Sequence, residues 1–532
     1  MTAPDLLYGG VLAAYLLVLA YVTVYCLMQL HLLSSYLRDR RAPSPSPAAP
    51  ARWPTVTVQL PLYNERYVAT RIIDAVCGFD YPTDRLQVQV LDDSTDDTVD
   101  IVAHCVMRWR AAGIDIEHVR RERRHGFKAG ALADAMSAVT GEFIAIFDAD
   151  FVPAPDFLKT SIPHFDAPEV GVVQSRWEHL NEDYSIITRL QALQLNVHFT
   201  VEQRGRRAAG LFAQFNGTAG VWRRACIEDA GGWRALTLTE DLDLSVRAQL
   251  RDWQIRYLEE NRAPAELPME MSAFKSQQHR WMKGGAECSR ILLPQVWRSR
   301  KLTLTEKLHS SAHLLGSSIF VFVFLIGVLS LPTALAVIHF DLHPALFSVF
   351  LSATLAVGAV YWVANVQSSW REESTGESTW RFLVLFPAFL SLSMGLSLHN
   401  GIAVLQGFWG KRSEFVRTPK FALDGSGAQA LDRIAANVYR GRRWSWITVG
   451  EGVLALTFAA ATVIGILTGY TFFSLFHAML AVGYGTIFGF TVRHASLRPK
   501  PGAAAAAPPA VSKHSCERLA AASRRPPVGA DV

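Results

Sequence analysis

The stretch Phe143-Ile-Ala-Ile-Phe-Asp148-Ala-Asp150 places two carboxylates directly after a short apolar run. Such runs are typical of buried β-strands, and ligands of open α/β sheets bind beyond the carboxyl ends of the strands. Asp148 and Asp150 could share a divalent metal ion, because Mg²⁺ and Mn²⁺ prefer oxygen ligands. The alternative is a solvated turn after the strand. The stretch predicts an α/β domain with a site at this edge of its sheet.

The same order of apolar run and polar residues recurs before and after this stretch. Strands are predicted at 55–60, 87–91 and 171–174, and helical patterns separate them, as in βαβ units. The second strand ends at Asp92-Asp93, where Asp93 is expected to accept a hydrogen bond from the base or ribose of a nucleotide. The alternative is that this acidic run only caps the following helix.

A third acidic cluster, Thr239-Glu240-Asp241, opens a predicted helix at 242–250. As a general base, Asp241 would take a proton from an acceptor hydroxyl. A single base without a carboxylate nucleophile predicts one displacement at the anomeric carbon, with inversion. An acidic run that favours the helix N-terminus is the alternative interpretation.

The run Gln277-Gln-His-Arg280-Trp281 follows these clusters and is predicted to be helical, so that its first, fourth and fifth residues share one face. Arg280 could form a bidentate contact with a diphosphate, and Trp281 could stack on a sugar ring. A half-buried tryptophan beside a surface arginine is the alternative. Lys128, between two glycines, is a weaker candidate for a phosphate contact, and the turn at 215–220 is a candidate acceptor groove or an ordinary turn.

Composition limits the class of protein. The chain has 532 residues, half of them hydrophobic, and a formal net charge of +5. The apolar excess lies at 6–33, long enough to cross the ~30 Å hydrocarbon layer, and again from about 311 to 492. The basic clusters flank these apolar segments, as the positive-inside rule expects. Nucleic-acid binding is therefore a poor interpretation of the positive charge.

These segments predict five regions along the chain. They are an N-terminal transmembrane helix (1–36), a linker (37–51), a cytosolic domain (52–300), a membrane domain (301–494) and a disordered tail (495–532). Within the membrane domain, spans are predicted at 313–338, 344–367, 446–469 and 471–492. The basic loop 410–443 should be cytosolic, which makes 382–409 an interfacial or re-entrant helix and places the N-terminus outside the cell.

The order and wording of the motifs resemble a known family. The motifs include VQLPLYNE (58–65), QVLDDSTD (89–96), IFDADF (146–151), TLTEDLDLSVRA (237–248) and QQHRW (277–281). The chain is similar to family two processive glycosyltransferases of the cellulose-synthase superfamily, and most similar to cellulose-synthase-like A and C enzymes, which make mannan, glucomannan and xyloglucan backbones.

The resemblance implies an α/β domain of GT-A type, with a mixed, mostly parallel sheet, inserted between transmembrane α-helices. It implies Asp241 as the base and Mg²⁺ or Mn²⁺ on Asp148 and Asp150. The implied donor contacts are Tyr63, Glu65, Asp93, Lys128, Asp148 and Arg280; the acceptor contacts are Asn216, Gly217, Glu240, Gln277 and Trp281; the gating-loop residues are Phe415, Thr418 and Lys420. Arg417 stands where the family's gating pattern FxVTxK has valine.

Three functions remain open at this stage. The first is an inverting hexosyltransferase that moves a hexose from UDP-glucose or GDP-mannose to a growing β-linked polysaccharide and passes the product through its own helices. The second places one sugar on a membrane lipid. The third is a non-catalytic scaffold or glycan-binding module. The expected setting is a bacterial inner membrane with the catalytic domain in the cytoplasm, which is compatible with envelope export partners.

Overall fold

The computed structural model describes residues 2–41, 47–343, 347, 351–368, 374–411, 413, 417–421, 439 and 444–497. Seven strands form one sheet: β1 (Val56–Leu62), β2 (Leu86–Asp92), β3 (Asp115–Val119), β4 (Phe143–Ile146), β5 (Val170–His179), β6 (Gly220–Arg223) and β7 (Gln254–Ala265). Each of the four predicted strands overlaps one of them.

The sheet is mixed and mostly parallel. Its strand order is β3-β2-β1-β4-β6-β5-β7; β6 runs antiparallel to both neighbours, and the remaining pairs are parallel. The predicted GT-A-type fold is confirmed, with apolar helices on both sides of the domain in the sequence. The parallel strands β1, β2 and β4 end side by side, so that Tyr63, Asp93 and Asp148 follow at one edge.

Two apolar clusters sandwich the sheet. Phe143 and Ala145 of β4 belong to one cluster, whereas Ile144 and Ile146 belong to the other. Successive side chains of a strand point to opposite faces, so both faces of β4 are covered. Burial on both faces explains why this strand is a continuous apolar run rather than an alternating one.

The helices follow the same division into a domain and apolar flanks. In the N-terminal part and the α/β domain they are Ala3–Asp39, Ala69–Cys77, Thr98–Ala111, Phe127–Ala135, Phe157–Ser161, Ile186–Val197, Gln203–Ala208, Arg224–Asp229, Glu240–Gln249 and Met271–Arg298. After the domain they are Leu304–Leu314, Ile319–His339, Leu351–Val366, Thr375–Gly395, Ser397–Phe408, Trp446–Thr468 and Ser474–Ser496.

Four helical segments among the described residues are long and apolar enough to cross a membrane: Ala3–Asp39, Leu304–His339, Trp446–Thr468 and Thr471–Ser496. A fifth crossing is added if the bent pair Thr375–Gly395 and Ser397–Phe408 is a single span. The two helices of this pair meet at 48°, within the segment predicted as interfacial or re-entrant, and its placement in a membrane stays a prediction.

Some predicted boundaries differ from those of the structure. The first helix continues to Asp39, beyond the predicted end at 36, and Asp39 accepts a hydrogen bond of 2.7 Å from Arg204 Nε of the α/β domain. The span predicted at 344–367 appears as the 16-residue helix Leu351–Val366, since 344–346 and 348–350 lie outside the described residues. At ~1.5 Å per residue the described helix is shorter than the hydrocarbon layer.

Candidate active site

The carboxyl edge of the sheet opens into a cavity of about 190 Å³. Every predicted site residue in the described part of the chain lines it: Tyr63, Glu65, Asp93, Lys128, Asp148, Asp150, Asn216, Gly217, Glu240, Asp241, Gln277, Arg280, Trp281, Thr418 and Lys420. Phe415 lies outside the described residues. The three acidic clusters and the helix with Arg280 therefore face one common space, and the roles assigned to the single residues stay predictions.

Asp93, at the end of β2, is held by arginines that follow β3. Arg121 donates to both oxygens of Asp93, at 3.0 and 2.5 Å, and Arg124 Nε lies 3.8 Å from Asp93 Oδ2. The Arg124 guanidinium also lies 3.4 Å from the centre of the Tyr63 ring. This corner of the cavity thus combines a carboxylate, an aromatic ring and a cation, a set of groups that can stack on a base and hydrogen-bond to it.

Asp148 and Asp150, after β4, each contact a lysine. Lys128 Nζ donates to Asp148 Oδ1 at 2.5 Å and to the Gly217 carbonyl oxygen at 2.8 Å. Lys420 Nζ donates to Asp150 Oδ2 at 2.5 Å. The lysine Lys128 also lies 3.9 Å from Glu240 Oε1. Lys128 therefore links Asp148, after β4, to Glu240 in the first turn of the helix Glu240–Gln249.

These two carboxylates fit a hard divalent cation. Among the described residues no three His, Cys, Asp or Glu side chains are grouped to hold a metal ion. Mg²⁺ usually takes only one or two carboxylates from a protein and completes its shell with phosphate and water oxygens. The Asp148 side chain is 37% exposed, and the Asp150 side chain is 9% exposed. Asp148 is thus open to the cavity, and the pair suits a cation that a diphosphate would also bind.

Asp241 lies in the first turn of the helix Glu240–Gln249, one residue after Glu240. Its Oδ1 accepts the backbone N–H of Leu242 at 2.8 Å, and its Oδ2 faces Gly217. Burial and, second to it, the neighbouring Glu240 carboxylate raise the pKa of Asp241 to about 7. A base with a pKa near neutrality is well matched to proton transfer from a hydroxyl.

Arg280 enters the cavity from the helix Met271–Arg298 and donates to Thr418 Oγ1 at 3.0 Å. Burial lowers the pKa of its guanidinium to about 10, so that it stays charged at neutral pH. Gln277 and Trp281 line the cavity beside it, whereas Gln278 is buried away from it against Asn400. The helix thus presents the face that the sequence pattern predicts.

Sequence reasoning missed several cations of this site. Arg417 NH2 donates to Glu65 Oε2 at 2.9 Å, and Arg417 also contacts the Asn64 carbonyl oxygen. Burial raises the pKa of Glu65 to about 8, against the opposing effect of Arg417. The arginines that hold Asp93 were also missed, although the basic run at 120–124 directly after a strand was a signal that could have identified them.

Comparisons with known proteins identify the family of the domain that carries the cavity. Residues 54–284 match the family described as "Glycosyltransferase like family 2". The chain is 44% identical over 262 residues to glucomannan 4-beta-mannosyltransferase 1 of Oryza sativa subsp. japonica, which covers 48% of the chain and 50% of that protein. It is 44% identical over 265 residues to glucomannan 4-beta-mannosyltransferase 2 of Arabidopsis thaliana, which covers 49% of each. The chain spans about half the length of the curated relatives it matches.

A solved mannosyltransferase from Pyrobaculum calidifontis, in complex with GDP-Man and Mn²⁺, aligns with a TM-score of 0.46 at 19% identity, over 74% of this chain and all of that one. The family match and the identity to the plant proteins confirm the resemblance that the motifs predicted. Residues 54–284 form a domain of the glycosyltransferase-like family 2.

Proposed function

We propose that this protein is a membrane-embedded, inverting glycosyltransferase that transfers a hexose from a nucleotide sugar to a growing β-linked glycan. The observation that carries the proposal is the single cavity lined by Asp93, Asp148, Asp241 and Arg280, which come from four separate parts of the sequence. GDP-mannose is the donor we expect first, because the curated relatives are named mannosyltransferases. UDP-glucose is the second donor to test.

The acceptor sugar would lie beside Asp241. The carboxylate takes the proton from an acceptor hydroxyl as that oxygen attacks the anomeric carbon of the donor, and the nucleoside diphosphate leaves from the opposite face. The Leu242 N–H holds one oxygen of Asp241, which leaves Oδ2 for the hydroxyl. A single displacement of this kind inverts the configuration, so that an α-linked donor gives a β-linkage.

The diphosphate of the donor would lie between the strand-end carboxylates and the cations. Arg280 and Lys128 supply positive charge for the leaving group, in a site where water is partly excluded. Asp148 and Asp150 would hold Mg²⁺ or Mn²⁺, which when bound neutralises charge on the leaving diphosphate. Asp93, with Tyr63 and Arg124, would bind the nucleoside at the far end of the cavity.

The membrane setting follows from the apolar helices that flank the domain. Lys275 lies in the same helix as Gln277 and Arg280, and its Nζ donates to both carboxylate oxygens of Glu451, at 2.8 and 2.9 Å, in an apolar helix. The helix that contributes to the cavity is therefore fixed to a candidate membrane span. A product made at this helix would start next to the membrane, and we propose an inner-membrane location with the domain in the cytoplasm and the product passed outward.

The test is transfer by the purified full chain in detergent, with Mg²⁺ or Mn²⁺ and radiolabelled GDP-mannose or UDP-glucose in turn. We expect a β-linked polymer that is digested by an endo-β-mannanase or, with the second donor, by an endo-β-glucanase. A labelled lipid instead of a polymer would support the glycolipid alternative. No transfer from either donor would contradict the proposal.

Asp241→Asn is the matched variant, because it keeps the shape of the side chain and removes its basicity. We expect transfer to fall by at least ~10²-fold, at the lower end of what general bases contribute, while the affinity for the nucleoside diphosphate stays within about twofold. Near-normal turnover of this variant would remove Asp241 as the base.

A further inference from the structure

A series of hydrogen-bonded polar side chains reaches the cavity from the helices that pack on the α/β domain. The helix Ile186–Val197 continues through a π-helical turn, His198–Glu202, into the helix Gln203–Ala208. Within this turn His198 Nδ1 lies 2.9 Å from Glu202 Oε2, and His198 Nε2 lies 2.8 Å from Asn216 Oδ1. Single π-turns inside α-helices are frequent at functional sites.

The partners of His198 define its protons. A carboxylate only accepts hydrogen bonds, so His198 Nδ1 carries a proton that it donates to Glu202. The Asn216 amide oxygen also only accepts, so its contact with His198 is a hydrogen bond that Nε2 donates. Burial by itself would raise the pKa of Glu202, but the hydrogen bond and the charge of His198, with Arg206, lower it to about 2. Glu202 is therefore ionised and anchors the imidazole that contacts Asn216.

This arrangement leaves one group of Asn216 available. Its amide oxygen accepts from His198, and its Nδ2 is buried with no hydrogen-bond partner among the described residues. Buried polar groups without a partner are rare in native proteins. Asn216 lines the cavity, and its neighbour Gly217 lies against Asp241 Oδ2. The amide therefore offers N–H donors at the cavity that the proposed base also lines.

The backbone of this turn does not depend on His198. The Asn216 N–H donates to Gln174 Oε1 at 2.9 Å, and Gln174 Nε2 donates to the Thr218 and Ala219 carbonyl oxygens, at 3.1 Å each. Gln174 is fully buried on β5. The main chain at 216–219 is thus fixed by the sheet, and the contact with His198 sets the orientation of the Asn216 side chain alone.

We propose that His198 and Glu202 are positioning residues, which orient the Asn216 amide so that its N–H groups donate to an oxygen of the acceptor sugar next to Asp241. The proposal rests on the proposed glycosyltransferase function. The ligand is a neutral sugar with oxygens to accept hydrogen bonds, and the contact would select how the acceptor ring is turned toward the base.

The test uses the purified full chain, the donor that it turns over, and short β-linked oligosaccharides of the same hexose as acceptors. Asn216→Ala should raise the acceptor KM by about threefold to tenfold, the range of one neutral hydrogen bond. The donor KM should stay within about twofold of the wild-type value, because the nucleotide contacts lie at the other end of the cavity. Glu202→Gln, which keeps the volume and removes the charge that holds His198, should raise the acceptor KM in the same direction.

The decisive variant is the double substitution. If His198 acts through Asn216, then His198→Phe and His198→Phe/Asn216→Ala should have the same acceptor KM as Asn216→Ala, because contacting residues in one network are not additive.

His313 is a partial control. Its Nε2 lies 3.1 Å from Gln214 Oε1, but its charge also acts on Glu202, so His313→Phe tests only the charge. The matched control is His477, whose Nε2 lies 2.8 Å from Ser330 Oγ. His477 lies outside this network, and His477→Phe should leave the acceptor KM unchanged.

Three results would overturn the inference. They are multiplying effects in the double variant, an unchanged acceptor KM in Asn216→Ala, and an equal rise of the donor KM, which would indicate a structural role. These outcomes leave the proposed function intact if the wild type elongates the acceptor. A wild-type protein without any transfer would remove both.

Discussion

Gly217→Ala is the substitution that most directly tests the placement of the base. Gly217 has φ +79°, and a Cβ added to it would lie 3.0 Å from Asp241 Oδ2 and 3.6 Å from Lys128 Nζ. Unstrained contacts begin at about 3.5 Å, so the Asp241 carboxylate would have to retreat by roughly half an ångström. A base acts within ~2.6–3.2 Å of the atom that it deprotonates, and misplacement by ~1 Å can cost ~10²-fold in rate. We therefore expect kcat to fall by about tenfold or more.

The left-handed backbone itself makes alanine unfavourable at this position, by about 1–2 kcal/mol. Gly113→Ala separates this effect from the contact with the base, because Gly113 has φ +89° and no atom within 4 Å of an added Cβ. Both variants should lose similar stability in a thermal unfolding experiment in detergent. Transfer assays should find a reduced kcat for Gly217→Ala alone. Equal kcat values in the two variants would refute the proposed position of Asp241 against this turn.

Three further predictions concern charge. Asp241 must be deprotonated to act, and burial raises its pKa to about 7, so the transfer rate should fall as the pH drops below about 7. Glu240→Gln removes a like charge next to Asp241 and should move the midpoint of the measured pH–rate profile to lower pH. Lys275→Met should destabilise the protein by ~3–5 kcal/mol, because it leaves the buried Glu451 carboxylate without its cation, and Lys275→Met/Glu451→Leu should recover most of this loss in unfolding experiments. Lys420→Met should strengthen Mn²⁺ binding to the protein without donor, measured by calorimetry, and unchanged or weaker binding would contradict competition at the Asp150 carboxylate.

The part of the fold that the sequence predicts is the part with a simple pattern. The strands β1 and β2 alternate apolar residues with threonine or glutamine, β4 is a continuous apolar run, and the polar residues that follow each of them mark the site edge. The strands β3, β6 and β7 were not predicted. β3 is a five-residue strand at the edge of the sheet. β6 has only four residues, and β7 contains Glu259, Glu260 and Arg262, whose charges interrupt the apolar pattern that predicts a strand. Both strands depend on pairing with β5, which is a tertiary contact that local periodicity does not encode.

The candidate site also has a part that local sequence patterns predict and a part that they do not. Carboxylates such as Asp93, Asp148 and Asp241 could be predicted, because each lies at the end of a strand or the start of a helix. Which cation pairs with which carboxylate could not be predicted from local patterns. Lys420 reaches Asp150 from 270 residues further along the chain. The contact between His198 and Asn216 likewise depends on how a π-helical turn packs beside the domain.

The pairing of charges in the cavity also explains why the protein can keep so many carboxylates together before a donor binds. Asp93, Asp148 and Asp150 each have a cation at hydrogen-bonding distance, and a buried charge is tolerated when it is paired. A nucleotide sugar brings a negative diphosphate to the same carboxylates. If a divalent cation enters with it, Lys128 and Lys420 lose their place on Asp148 and Asp150 but gain phosphate oxygens as new partners. In the proposed function, donor binding would thus be an exchange of partners among charges already present, and we propose that the two lysines belong to the binding site together with the carboxylates.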